Sequence, residues 1–414
     1  MTASAPTTRP ARSRAEEPRV VLATVVGTTV EWYDFFIYAF AAGLVFGPLF
    51  FEPAGEGIAK TLAFFTIGIS FLFRPLGATL AGHFGDKFGR RVVLVITLIM
   101  MGLSTALIGL LPSYVQWGVA APILLILLRV LQGISAGGEC GGAVLMAVEH
   151  APVRRRGIFG AAPQAGVPLG LLLASAMLGL MALIAPGDAF LEWGWRVPFL
   201  LSIVLIAVGY WVRRQVEESP VFHEISERRA RTRMPLIQLF RRHTLLVIIA
   251  AFVFAGNNAV GYMTTGGFIQ SYTTDPKGPL ALERGPVLWA VAGSAVTWLI
   301  FTCFAGWLSD RIGRRTTYLI GWGALAVGML ALFPLVNLGT PLSIFAGTAL
   351  LTVGLGFTYG PQAALYASSS RPRSDSPVSP SRTRWDRSLV APLRRRLPRS
   401  CSDAPGRRRR SRSI

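Results

Sequence analysis

Gly82-His83-Phe84-Gly85-Asp86-Lys87-Phe88-Gly89-Arg90-Arg91 returns as Gly306-Trp307-Leu308-Ser309-Asp310-Arg311-Ile312-Gly313-Arg314-Arg315, 224 positions further along the chain. Both stretches read G-x-x-x-D-x-x-G-R-R, and each joins two long apolar runs. One copy would say little. Two copies at equivalent points indicate a duplicated chain, the parallel-repeat pattern of certain membrane carriers. The pattern has a local physical logic. Its first Gly lets two helix ends approach, and its Asp suits an Arg or a helix N-terminus. The second Gly permits a tight turn, and the paired Arg hold the loop on one side of a membrane. Two duties are open to Gly82, Asp86, Gly89, Arg90 and Arg91, and to Gly306, Asp310, Gly313, Arg314 and Arg315. They form a topological anchor, or a gate that latches between two packed states.

Outward from the repeat, the 414 residues are 52% apolar and only 15% charged, well under the roughly 25% charged residues of ordinary soluble domains. Ten apolar runs are long enough to cross a bilayer, near 20–46, 58–82, 92–111, 119–146, 158–184, 197–213, 244–270, 287–308, 316–336 and 342–366. The chain is therefore predicted to be an all-α polytopic membrane protein. Orientation follows from the basic residues. With the N-terminus cytoplasmic, the inner connections carry seventeen Lys and Arg, among them Arg154–Arg156 and Arg228–Arg229; the outer ones hold Arg196, Lys277 and Arg284, with Lys60 at a helix margin. That bias places both ends on the cytoplasmic side of the cell's inner membrane. The first twenty residues are polar, and no cleavable leader is read in them.

The expected organisation is a cytoplasmic tail (1–19), a six-helix bundle (20–213), a polar Glu- and Arg-rich linker on the membrane surface (214–243), four further helices (244–367) and an Arg/Ser/Pro-rich tail (368–414). Three Cys and four His lie scattered, at no disulfide or metal spacing. No nucleophile–base pair or phosphate loop appears either. No catalytic residue, metal site or cofactor is expected, and an enzyme is not.

Further stretches carry a family resemblance. They are Glu31-Trp32-Tyr33-Asp34-Phe35, Phe73-Arg74-Pro75-Leu76-Gly77, Arg129-Val130-Leu131-Gln132-Gly133, Gly137-Gly138-Glu139-Cys140-Gly141-Gly142, Trp195-Arg196-Val197-Pro198-Phe199 and Glu217-Glu218-Ser219-Pro220-Val221-Phe222. With the duplicated loop, they resemble the major facilitator superfamily over roughly residues 20–367. Within it they resemble the metabolite:proton symporters, which carry proline or betaine, shikimate, citrate and α-ketoglutarate. The family usually has an aromatic where Cys140 stands. The resemblance implies a fold of two pseudo-repeated helical bundles with twelve membrane helices, against ten read here.

Charges at membrane depth cost about 2.5–3.5 kcal/mol each on insertion scales, which makes them functional candidates. Five stand inside the first-half runs: Glu31, Asp34, Arg74, Arg129 and Glu139. Glu31, Asp34 and Tyr38 share one helical face, as do Arg129, Gln132, Ala136 and Glu139. Two such stripes on apolar helices must face each other or water, which suggests a wet central cavity. Burial and crowding raise a carboxyl pKa while a nearby Arg lowers it, so one acid of the three could load and release a proton. Asp34 or Glu31 is the expected proton site, with Glu139 a further candidate or a plain counter-charge. Arg129 is the expected coupler or substrate anchor. Tyr38, Gln132, Asn257 and Asn258 are candidate substrate contacts, although the two Asn serve equally as glue between helices. Arg74 reads either as a functional cation or as one snorkelling to the membrane surface. Gly160, Pro163, Gln164, Gly166, Pro168 and Gly170 predict a bendable, closely packed fifth helix.

From Ser368 to the end there are 14 Arg, 12 Ser and 6 Pro, a composition that cannot span a bilayer and reads as disordered. The abrupt change suggests a shifted reading frame, with a basic tail on anionic lipid as the second reading. Nucleic-acid binding through Arg407–Arg410 has no supporting fold, so no nucleic acid is expected as partner, nor any obligate protein. The functional expectation is proton-coupled symport of a small carboxylate or zwitterion by alternating access, the proton being the coupling ion and the bilayer the surrounding partner. The alternative is a transport-inactive membrane scaffold or sensor.

Overall fold

Inside a bilayer, every backbone N–H and C=O must find its partner within the chain, so an apolar run crosses as a helix. The computed structural model describes residues 16–88, 90–150, 156–214 and 267–369, with isolated positions between 244 and 261. The described residues hold no strand. The helices are α1 (Glu16–Ala41), α2 (Glu56–Phe88), α3 (Arg90–Leu110), α4 (Ala120–His150), α5 (Arg156–Ile184), α6 (Arg196–Arg214), the short α7 (Ile269–Thr274), α8 (Arg284–Ile312), α9 (Arg314–Val336) and α10 (Pro341–Ser369). Eight stretches are long and apolar enough to cross a membrane, and Val95–Leu110 of α3 is a shorter apolar segment. The expected run at 244–270 falls largely outside the described residues. So do the linker beyond Arg214 and the tail from residue 370.

Two ends differ from the sequence reading. The first helix does not stop at 46: α1 continues through a π turn at Ala42–Phe46 into a further turn, Gly47–Phe50. Pro48 is tolerated there because the opening turn of a helix needs no partner for its N–H. Gly55, at φ +84°, then reverses the chain. A second π turn, Phe190–Gly194, precedes α6.

The surface inverts the arrangement of a soluble protein. Phe65, Leu72, Trp211, Leu319 and Leu330 are exposed, Leu330 by 79%, while Glu31, Asp34, Arg129 and Gln132 are buried. A continuous apolar exterior around a polar interior suits lipid as solvent. Within the first six helices, α2 packs on α4, α3 on α4 and α6, and α1 on α5 and α6. Near their far ends, Phe46, Phe50, Trp195 and Phe199 interlock edge to face, with centroids 5.4–5.7 Å apart for successive pairs. Helix α10 packs on both α8 and α9, and α5 bridges the two sets by touching α1, α8 and α10.

Glycines set these approaches. A Cβ on Gly166 would come within 2.6 Å of Thr28 and one on Gly170 within 2.7 Å of the Tyr33 nitrogen, so α5 lies directly on the α1 backbone. Both Pro163 and Pro168 sit inside an unbroken α5. Between α2 and α4 the contact is closer still. Cβ atoms on Gly77, Gly133 and Gly137 would fall 2.0, 2.3 and 2.0 Å from the carbonyl oxygens of Ile134, Ser70 and Arg74. This notch fixes the rotation of two helices, one carrying the half-buried Arg74 and the other the buried Arg129.

Candidate functional site

Two helical turns of α1 hold Glu31, Asp34 and Tyr38 against neighbouring helices, with exposures of 4%, 1% and 0%. The hydroxyl of Ser202 in α6 donates to Asp34 Oδ1 at 2.9 Å. Tyr38 Oη lies 2.6 Å from Thr66 Oγ1. Thr66 spends its own proton on the Ala63 carbonyl, so Tyr38 is the donor. Arg129 of α4 is wholly buried, and its Cζ stands 3.8 Å from the centre of the Tyr38 ring and 5.2 Å from that of Phe35. From Arg129 a directed chain of donors runs outward. Arg129 Nη1 donates to Gln132 Oε1 at 2.9 Å, Gln132 Nε2 to Thr105 Oγ1 at 2.6 Å, and Thr105 to the Met101 carbonyl at 3.1 Å. Such a chain holds the Gln amide in one orientation and gives the guanidinium a fixed seat.

The stripes of α1 and α4 thus meet where Tyr38 stacks on Arg129. Among the described residues, the hydrogen-bond partners named here for Asp34, Tyr38, Arg129 and Gln132 all belong to the first six helices. Glu139 continues α4, with its side chain outside the described residues. Arg74 does not snorkel. Its Cζ sits 4.3 Å over the Phe35 ring and 4.4 Å over Phe71, turned inward to α1. Ser202, Thr105 and Thr66 escaped the sequence reading, because hydroxyls in membrane helices usually bond to their own backbone and carry little pattern. Ser202 had one signal: it follows the buried Trp195 and Phe199 on the same face of α6.

In the second half, Asn257 is buried and its Oδ1 accepts from Thr358 of α10 at 3.1 Å. Asn258 lies outside the described residues. Trp298 and Tyr359 pack edge to face at 5.3 Å.

The second loop of the repeat is fully described. Gly306 lets α8 meet α5, since its Cβ would lie 2.5 Å from that of Ala161. Gly313, at φ +95°, makes the turn into α9 that a side chain would strain. Asp310 Oδ1 accepts the Gly157 N–H at 2.8 Å and Oδ2 accepts that of Ile158 at 3.2 Å, which caps the N-terminus of α5. Arg314 Nη1 donates to the Ala364 carbonyl of α10 at 3.0 Å, while Arg315 is exposed. In the first loop, Gly82 is exposed within α2. Gly89 and the side chains of Asp86, Arg90 and Arg91 lie outside the described residues.

At the opposite face, Lys60 of α2 pairs with Asp275, just after α7, at 2.5 Å. The bond from Lys60 holds the Asp275 carboxyl below its usual 3.8, helped by the Lys277 N–H. A depressed carboxyl pKa contributes its stability above the ordinary value and loses it only as pH falls through the lowered one. This contact therefore stays charged between about pH 7 and pH 5 and is no sensor of that range. Infrared difference spectra of the protein against its Asp275→Asn variant should show no protonation of this carboxyl between about pH 7 and pH 5.

The comparisons decide the family. The model of the Major Facilitator Superfamily matches residues 21–376. The chain belongs to that superfamily. Among its relatives, the inner membrane metabolite transport protein YhjE of Escherichia coli K12 is 39% identical over 350 residues, 84% of this chain and 79% of that one. The shikimate transporter of the same organism is 40% identical over 323 residues, 76% and 71% of the two chains. A proline/betaine transporter assigned in Staphylococcus aureus is 35% identical over 321 residues, 77% and 68%. The crystal structure of a D-xylose–proton symporter superposes with a TM-score of 0.65 over 87% of this chain and 84% of the other; at 18% identity it shows the shared fold. This facilitator is thus a multi-pass membrane carrier of metabolites and not an enzyme.

Proposed function

We propose that this carrier is a symporter that moves a small organic acid or zwitterion together with a proton, by alternating access. One observation carries the reading: Glu31, Asp34 and Tyr38 of α1 are buried, and Tyr38 stacks on the buried Arg129 of α4. An ionisable ladder costs too much at that depth to serve packing alone. Asp34 or Glu31 holds the coupled proton, with Glu139 the remaining candidate. Arg129 is the coupler, because its Gln132 bond and Tyr38 stack keep it at the ladder. Tyr38, Gln132, Asn257 and Asn258 are proposed substrate contacts. Both termini lie in the cytoplasm, as the basic loops require. The relatives named for shikimate, proline and betaine support a carboxylate-bearing substrate. Uptake of labelled shikimate, proline, betaine and dicarboxylates into proteoliposomes, under an imposed pH gradient, tests the reading. A chain that accumulates none of them is the scaffold instead.

In this scheme the repeat loops form a latch on the cytoplasmic face, with Asp310 gripping the α5 terminus. A carboxylate at a helix N-terminus contributes about 0.3–1 kcal/mol. Asp310→Asn keeps the shape but loses the charge and one of the two acceptors, so the population open on that face should rise about two- to fivefold or more. Distance distributions between spin labels at Leu80→Cys and Ile312→Cys measure it; identical distributions would remove Asp310 from the latch.

A further inference from the structure

Arg74 lies halfway along α2 in a setting that stabilises its charge without satisfying it. Phe35 and Phe71, stacked 5.9 Å apart, present their rings to the guanidinium, so the negative ring faces offset part of the burial cost. Ring faces accept no in-plane hydrogen bonds. Nε and Nη2 of Arg74 are both buried, and neither meets an acceptor among the described residues. These two nitrogens are not an arbitrary pair. They form the side edge of the guanidinium, where two parallel N–H groups match the two oxygens of a carboxylate. Arg129 is held differently, with its Nη1 donating to Gln132 and the Tyr38 ring beneath its guanidinium. The close approach at Gly137, which touches the Arg74 carbonyl, fixes the α2 backbone from which this side chain projects.

We infer that Arg74 is the substrate anchor: its Nε–Nη2 edge takes one carboxylate of the transported acid side-on, while Arg129 serves the proton. This assignment rests on the carboxylate reading above and divides the labour between the half-buried Arg74 and the buried Arg129. A buried donor pair left unmet costs more than one that is paired, so the arriving carboxylate gains both its own bonds and the relief of that cost. It also sets specificity, because an ester or amide offers no matching pair of anionic oxygens.

The test is binding to the full-length purified protein without any proton gradient. Isothermal titration and thermal-shift measurements use succinate, L-proline and shikimate, each beside its methyl ester, with inorganic phosphate as the non-carboxylate anion. At least one acid should bind and raise the melting temperature, and its ester and phosphate should not. Arg74→Gln should weaken that acid about tenfold or more, as should Arg74→Lys, which keeps the charge but lacks the parallel pair. Arg74→Leu should raise the melting temperature of the ligand-free protein, since it removes the unmet donors. Undiminished acid binding in both Gln and Lys variants, or equal binding of ester and acid, overturns the assignment. So does the failure of every acid to bind. Because no gradient enters the measurement, an anchor that binds normally in a protein without proton-driven uptake would refute symport and leave this inference intact.

Discussion

Asp34→Asn is expected to bring uptake driven by a pH gradient down to the level of empty vesicles, with the protein still folded in the membrane. The substitution suits the question because Asn keeps the volume and retains an oxygen able to accept from Ser202. What it removes is the proton that a carboxyl can hold and release. At 1% exposure, an ionised Asp34 depends on its neighbours for every unit of stabilisation lost from water, so its protonation should follow their movement. A neutral Asn breaks that link while leaving substrate sites untouched. Exchange of labelled for unlabelled substrate, which needs no net proton movement, should therefore persist in the variant. The same pair of assays on Glu31→Gln separates the two candidates. Normal pH-dependent uptake by Asp34→Asn would take Asp34 out of the mechanism.

The second large effect is structural. Gly137→Ala puts a methyl group 2.0 Å from the Arg74 carbonyl oxygen, where the obstacle is backbone and cannot rotate away. Helices α2 and α4 must separate, and overpacking of this kind costs about 1–3 kcal/mol, occasionally more. The displaced helices are those that carry Arg74 and Arg129, so stability and binding should fall together. Gly133→Ala and Gly77→Ala meet the same wall at 2.3 and 2.0 Å. Gly68, on α2, and Gly323, on α9, have open space where a Cβ would go. Their Ala variants should be neutral or gain up to about 1 kcal/mol of helix propensity. Melting temperatures of the purified set decide the matter: a Gly137→Ala protein as stable as Gly68→Ala would mean that the notch does not govern the packing.

Much of the site was legible in one dimension because its signals are local. Charges inside apolar runs are anomalous at any packing, and spacings of three and four residues place Glu31, Asp34 and Tyr38 on one side of a helix whatever that helix touches. The repeat loop is local too: Gly313 needs its positive φ, and Asp310 stands one turn before it. What Asp310 grips was not legible, since Gly157 and Ile158 belong to another helix more than 150 positions away.

From the sequence alone follow the membrane class, the helical runs, the internal duplication and the polar faces of α1 and α4, because hydropathy and periodicity are properties of single segments. Only the tertiary structure decided that Arg129 is seated by Gln132 and Tyr38, that Ser202 reaches Asp34, and that Arg74 turns inward beneath two rings with one edge unmet. Those outcomes depend on the rotation and register of one helix against another. Notches at Gly77, Gly133 and Gly137 set both for α2 and α4, and no pattern within a single helix records which neighbour will fill them.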